Sequence, residues 1–255
     1  MTIMHEVAGD GPAVVLLHSS VGDRRMWDGQ WEALRAAGHR VVRCDFRGFG
    51  ESPCADRPYD NVTDLVELLD GLGIGRAALV GASFGGRVAL QFAALHPERV
   101  GSLTLLCPAR PGHEASAELE ALDDLEVALV ESGKLDEAIE LMVDTWLGPD
   151  ADEAARALVR VMQRNAYEVQ LAPEVEISPT PVEVDLRDVT APTLVYSGAH
   201  DLPDFRRIAA DLAGLLPNAE HRELPWAGHL PALERPAETA ELVLAHLASV
   251  TAGPS

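Results

Sequence analysis

Residues 77–96 constrain this chain more than any other stretch. An apolar run, Ala77-Ala78-Leu79-Val80, has the unbroken hydrophobic character of a strand buried on both faces, and a helical pattern follows from Arg87 to His96. Between them stands Gly81-Ala82-Ser83-Phe84-Gly85. Gly-x-Ser-x-Gly with a strand before it and a helix after it is the context of a nucleophile elbow. So tight a turn predicts a strained backbone at Ser83, with its hydroxyl exposed at the carboxyl end of the strand. Glycine is required at 81 and 85 because side chains there would collide across the turn. Ser83 also opens a helix, where unpaired amides and the helix dipole favour negative charge. The Phe84 amide points into the same space, as one half of an oxyanion hole. A Gly-rich turn carrying an incidental serine is the competing reading, and the residues downstream weigh against it.

The rest of the chain alternates strands and helices. Residues 2–7, 13–17, 40–44, 102–106, 192–196 and 220–224 read as strands beside the elbow strand. Helical spacing runs through Trp27 to Ala37, Val62 to Leu72, Phe205 to Leu216 and Pro236 to Ser249, the last with proline at a favoured first-turn position. The rhythm breaks between Pro111 and about Asp188. There the pattern gives helices over Glu118–Glu131, Leu135–Trp146 and Glu153–Val169, punctuated by Gly133 and Gly148-Pro149, then a linker from Pro173 to Pro181. Repeated strand–helix units imply an α/β fold, a doubly wound and mostly parallel sheet with right-handed crossovers. Residues 1–110 and 189–255 form its core, and 111–188 a small helical cap insertion. Ligands of such sheets bind outside the carboxyl ends of the strands.

Composition removes several classes. The formal charge is −21, with a pI near 4.6. That repels nucleic acid and anionic membrane surfaces. The acidic residues from Glu114 to Asp152 read as a solvated face. Three cysteines, Cys44, Cys54 and Cys107, without metal-like spacing, are expected to be reduced thiols of a cytoplasmic protein. Met1–Glu6 lacks the basic-then-apolar pattern of a secretion signal, and no apolar run approaches the ~18 residues of a membrane span. The histidines show no metal-ligand spacing, so no metal or cofactor is expected.

Three polar residues terminate three separate strands: Ser83, Asp201 after Ser197-Gly198-Ala199-His200, and His229 after Pro225-Trp226-Ala227-Gly228. All three therefore fall along one edge of the sheet. A serine hydroxyl needs a base to become a nucleophile, and histidine suits that task near neutral pH. The histidine in turn needs an acceptor on its other nitrogen, which Asp201 can supply. Asp204 is the rival for that role.

With this set the chain resembles the α/β-hydrolase superfamily over nearly its whole length. The resemblance rests on Gly81 to Gly86, on Asp45-Phe46-Arg47-Gly48-Phe49-Gly50-Glu51-Ser52, on Gly198 to Asp201, and on Ala227-Gly228-His229. The nearest flavour is the small-cap bacterial branch of enol-lactone hydrolases, esterases and non-haem haloperoxidases. It implies Ser83 as nucleophile, Asp201 as acid and His229 as base, acting without cofactor on a small-molecule ester or lactone. It also implies the Ser20 amide as second oxyanion donor beside that of Phe84. Where relatives have His-Gly, this chain has His18-Ser19-Ser20, a departure that puts Ser19 at the substrate's edge. Trp146 and Trp226 are further candidates for the pocket wall, with core packing as their alternative. Arg47 is read as a structural ion pair or a carboxylate binder, and His18 and Asp45 as loop braces. The same triad also serves carbon–carbon bond hydrolysis and perhydrolysis, and a slow or inactive ligand-binding protein is the reading from another class.

Overall fold

The computed structural model describes residues 3–175 and 177–252. Seven strands form one sheet: β1 (His5–Ala8), β2 (Ala13–Leu17), β3 (Arg40–Cys44), β4 (Ala77–Ala82), β5 (Val100–Leu106), β6 (Thr193–Gly198) and β7 (Ala219–Leu224). Their spatial order is β1-β3-β2-β4-β5-β6-β7. Only β1 runs antiparallel, pairing with β3, and every other neighbouring pair is parallel. The central strands earn this position by composition: Val14 to Leu17 and Leu79 to Ala82 are buried throughout, as strands covered by helices on both faces must be.

The crossover helices are α1 (Asp28–Ala36), α2 (Asn61–Gly71), α3 (Phe84–Leu95), α7 (Pro203–Leu215) and α9 (Pro236–Ala252). α2 begins where Asp60 Oδ1 accepts the Thr63 amide at 2.7 Å, a side-chain cap for one of the helix's unpaired donors. α1 and α9 approach closely: a Cβ on Gly29 would lie 2.7 Å from Pro236 Cβ. The buried Gln30 amide ties them by donating to the Ala232 and Pro236 carbonyls at 3.1 and 3.0 Å.

Three helices stand between β5 and β6, as the change of rhythm anticipates: α4 (Ala117–Glu131), α5 (Leu135–Trp146) and α6 (Glu153–Gln170). α5 and α6 join through Ala138, Met142, Val143, Val159 and Met162, all buried. Their acidic and basic faces are paired as well, through Arg156–Asp144, Arg160–Glu140 and Arg164–Asp136. The acidic face is thus partly neutralised by α6. Such exposed pairs are each worth about 0–1 kcal/mol.

The structure adjusts the ends of several elements. The first strand starts at His5, and Thr2 lies outside the described residues. Helix α9 continues through Ala252, three residues beyond the expected end at Ser249, and residues 253–255 also lie outside the described residues. A one-turn helix, α8 (Pro231–Glu234), follows His229. Four residues are too few for a helical period to show in sequence.

Candidate active site

The elbow adopts the strain that its spacing predicts. Ser83 has φ 48° and ψ −114°, and among the described residues only Cys107 shares a positive φ without being glycine. The flanking glycines are sterically required. A Cβ on Gly81 would meet the Gly85 carbonyl oxygen at 2.7 Å, and one on Gly85 would meet the Leu17 oxygen at 2.2 Å. One expectation needs correction: Ser83 is 5 % exposed, so its hydroxyl is covered and not open at the surface.

Hydrogen bonds between loops bring the strand ends into register. The Ser83 amide donates to the Leu106 oxygen at 3.1 Å, the Cys107 amide to Tyr196 at 2.8 Å, and the Ala199 amide to Leu224 at 2.9 Å. The Ser83 carbonyl receives the Ala109 amide at 3.0 Å. Residues far apart in sequence therefore share one edge.

His229 and Asp201 meet there. His229 Nδ1 lies 2.8 Å from Asp201 Oδ2, with both side chains buried. A carboxylate can only accept, so Nδ1 carries the proton and Nε2 is left as the basic nitrogen. Asp201 is itself held by the Leu202 amide, which donates to Oδ1 at 2.7 Å. The imidazole is clamped between Phe205, at 4.2 Å between ring centroids, and Trp146, at 4.5 Å. The His229 amide donates to the Trp146 carbonyl at 3.0 Å, so the end of α5 fixes the histidine loop directly. Glu234 secures the same loop from below, accepting the Gly228 amide at 2.9 Å and the Leu230 amide at 3.1 Å. Burial pushes the Glu234 carboxyl up despite these donors. A Cβ on Gly228 would lie 2.4 Å from the Gly148 nitrogen, which explains glycine at this crossing.

Asp204 is engaged elsewhere. Its Oδ1 accepts from His113 Nε2 at 2.7 Å and from the Ser116 amide at 3.0 Å, and its Oδ2 accepts the Ser116 hydroxyl at 2.6 Å. It anchors the start of α4. Burial pushes its carboxyl up, but the Ser116 and His113 hydrogen bonds outweigh that and hold it at about 2. A carboxyl depressed on folding contributes stability above its unfolded pKa near 3.8, and that stability is lost as pH falls toward 2. Asp204→Asn is expected to remove about 2 kcal/mol at pH 7. Chemical denaturation at pH 7, 4 and 2.5 checks this, with the gap between variant and parent narrowing across that range.

The loop after β2 is braced as the sequence anticipates. His18 Nε2 accepts the Phe46 amide at 2.9 Å, and its Nδ1 donates to the Ser19 carbonyl at 2.8 Å. Burial lowers the His18 pKa, and acceptance at Nε2 needs the neutral ring. The buried Asp45 accepts from the Arg24 amide, the Arg24 guanidinium and the Glu51 amide. Arg47 forms a two-point ion pair with Asp64, at 2.6 and 2.7 Å.

Ser20 and Phe84 line one cavity of about 240 Å³, together with Phe49, Tyr59, Asn61, Gln170 and Pro179. Ser19, Trp146 and Trp226 do not line it. Ser19 is buried, its hydroxyl taken by the Val21 amide at 3.5 Å within its own turn. Trp146 instead covers His229. Trp226 points toward α9: its indole N–H donates to Glu238 at 2.9 Å and its ring carries the Arg235 guanidinium at 4.7 Å. Nothing in local sequence distinguishes a tryptophan facing a pocket from one facing a helix two turns later. A larger cavity of about 640 Å³ opens between α9 and the amino ends of β6 and β7, lined by Thr193, Leu194, Ala219 and His246. That is the wrong end of the sheet for this site.

Cys107, Phe205 and Glu234 were not foreseen as site residues. Cys107 follows β5, with φ 45°, and its sulfur lies 3.5 Å from the Gly228 carbonyl. Burial and the adjacent Asp201 carboxylate push its thiol pKa up. Cys107, Asp201 and His229 are the one group of metal-ligand types gathered within 4.8 Å among the described residues. Their donors are spent on one another: the carboxylate on the imidazole, the sulfur as a protonated thiol.

An α/β sheet with a serine elbow, and an aspartate–histidine pair on its carboxyl edge, defines an α/β hydrolase. The alpha/beta hydrolase family model matches residues 14–242, and the chain belongs to that family. A protein of Variovorax paradoxus (strain S110), provisionally named the carbamate hydrolase RutD, is 32 % identical over 99 % of this chain and 98 % of its own length. Among solved structures, a thermophilic esterase from Thermogutta terrifontis superposes with a TM-score of 0.81 at 28 % identity, covering 97 % of this chain and 93 % of the other. The enol-lactonase from Burkholderia xenovorans LB400 does so at 0.77 and 26 %, covering 96 % of each. No described helix is long and apolar enough to cross a membrane.

Proposed function

We propose that this protein is a serine hydrolase of small-molecule esters or lactones, working through Ser83, His229 and Asp201. One observation carries the reading. Asp201 holds Nδ1 of a buried His229, leaving Nε2 as the base, on the sheet edge that also presents the strained Ser83. His229 Nε2 takes the Ser83 proton as Oγ attacks the carbonyl carbon. The oxyanion that forms accepts from the Phe84 and Ser20 amides, each worth roughly 3 kcal/mol of transition-state stabilisation. His229 then protonates the leaving alkoxide, the acyl–oxygen bond breaks, and an acyl-enzyme remains. Water, deprotonated by His229, attacks that acyl carbon and returns Ser83 with a free acid. In a lactone the leaving alcohol stays tethered to the acyl chain.

Residues 111–188 act as the cap that selects the substrate, with Trp146 pressing His229 into place. Relatives named as an esterase and an enol-lactonase support the ester or lactone class. None of the three cysteines forms a disulfide and two are buried, which fits a reducing cytoplasmic setting. A fluorophosphonate probe tests the assignment: it is expected to label the parent protein once, on Ser83 by peptide mass. A folded protein that takes no label, and turns over no member of a panel of p-nitrophenyl esters and small lactones, would overturn it.

A further inference from the structure

The chain carries 41 acidic side chains against 20 lysines and arginines, so an arginine has carboxylates in excess to choose from. Most of its arginines are ion-paired. Among the described exceptions, Arg40 and Arg76 donate to the Leu72 and Val100 carbonyls, and Arg57 is exposed. Arg87 and Arg110 remain. Arg87 is half-buried on α3, three positions beyond Phe84, with its guanidinium carbon 5.0 Å above the Phe84 ring. No described carboxylate lies within ion-pair reach of it. Burial alone bears on its pKa, which it lowers, with no neighbouring charge contributing. Arg110 has a buried Nε without a hydrogen-bond partner, and it immediately precedes Pro111 and Gly112.

Arg87, Pro111 and Gly112 line one cleft of about 520 Å³, with Gln91 and Val182 among its other walls. Asn61 and Pro179 line both this cleft and the cavity that holds Ser20 and Phe84. The Phe84 ring lines that cavity while its face carries Arg87. The two spaces therefore adjoin, with the cation on the far side of the residue whose amide serves the oxyanion.

A half-buried guanidinium that faces a cleft with no described carboxylate beside it is open to an anion from solution. Its planar fork suits a carboxylate, which accepts two parallel hydrogen bonds. We propose that Arg87 forms an anion subsite, so that the preferred substrate is an ester or lactone bearing a second, ionised carboxylate. This rests on the serine-hydrolase reading above and names the substrate class for that site. Glu183, exposed on the rim of the same cleft, opposes the anion, and a bidentate contact at Arg87 must outweigh it.

Two readouts separate this inference from the reading beneath it. The first compares p-nitrophenyl hydrogen glutarate with p-nitrophenyl pentanoate, a neutral ester of matching length. The ratio of their kcat/KM values is expected to favour the anionic ester at least tenfold. It should collapse in Arg87→Met, which keeps an aliphatic stem over Phe84, and recover in part in Arg87→Lys. The second is calorimetric binding of glutarate to the Ser83→Ala protein, where chemistry plays no part. Binding is expected there, weakened at least tenfold by adding Arg87→Met. A parent that prefers the neutral ester, or glutarate binding absent or indifferent to Arg87, overturns the subsite while leaving the hydrolase standing. Failure of both esters and of the phosphonate probe, with Arg87-dependent glutarate binding intact, would instead remove the hydrolase and keep the anion site.

Discussion

Replacing Ser83 by alanine is expected to lower kcat toward a good substrate on the order of 10⁵- to 10⁶-fold. No other described residue can take its place. The elbow holds this one side chain in a positive-φ turn at the head of α3, and the Cys107 thiol, grouped with Asp201 and His229, is fully buried with its pKa pushed up. The residual rate should stay above that of water, because the proposed oxyanion donors, the Phe84 and Ser20 amides, remain in place. Single-turnover measurement, with denaturation curves confirming the fold, checks the prediction. The fold is expected to survive, since alanine keeps the Cβ and the φ 48° turn and removes only one hydroxyl oxygen. A loss of less than about tenfold would mean that another group attacks the substrate.

Asp201→Asn is the second large effect, expected to cost about 10⁴-fold in kcat. The amide would keep the shape of the carboxylate. It could present N–H to His229 Nδ1, move the ring proton to Nε2, and so remove the base that the proposed mechanism assigns to Ser83. It would also withdraw the negative charge that stabilises the imidazolium. Asp204 is only three residues away, yet its oxygens are committed to His113 and Ser116. The two asparagine variants should therefore separate: Asp201→Asn acts on turnover, Asp204→Asn on stability at the α4 junction. Steady-state kinetics and denaturation on both proteins give the comparison. A larger kinetic loss in Asp204→Asn would exchange their roles.

Much of this was legible in the linear chain because its signals are local. A strand, a glycine-flanked serine and a helix within twenty residues dictate the elbow, since only one backbone geometry joins them without collision. The apolar runs at 13–17 and 77–80 read as buried strands, and the change of rhythm after Pro111 marked the inserted helices. The ends of strands already singled out Ser83 and His229, and Asp201 with Asp204 as its rival. What only the tertiary structure decided depends on side chains meeting across long separations in sequence. Local spacing cannot choose between Asp201 and Asp204, because the choice is made by His229 on one side and by His113 and Ser116 on the other. It cannot tell that Trp146 presses on the histidine while Trp226 turns to Glu238, or that Ser19 folds back on its own turn. Nor does it show that Arg87, one helical turn from Ser83, has no described carboxylate beside it in a chain full of them. Short-range sterics are written in neighbouring residues. Burial and charge pairing belong to the packed whole, and there the sequence alone leaves several partners open.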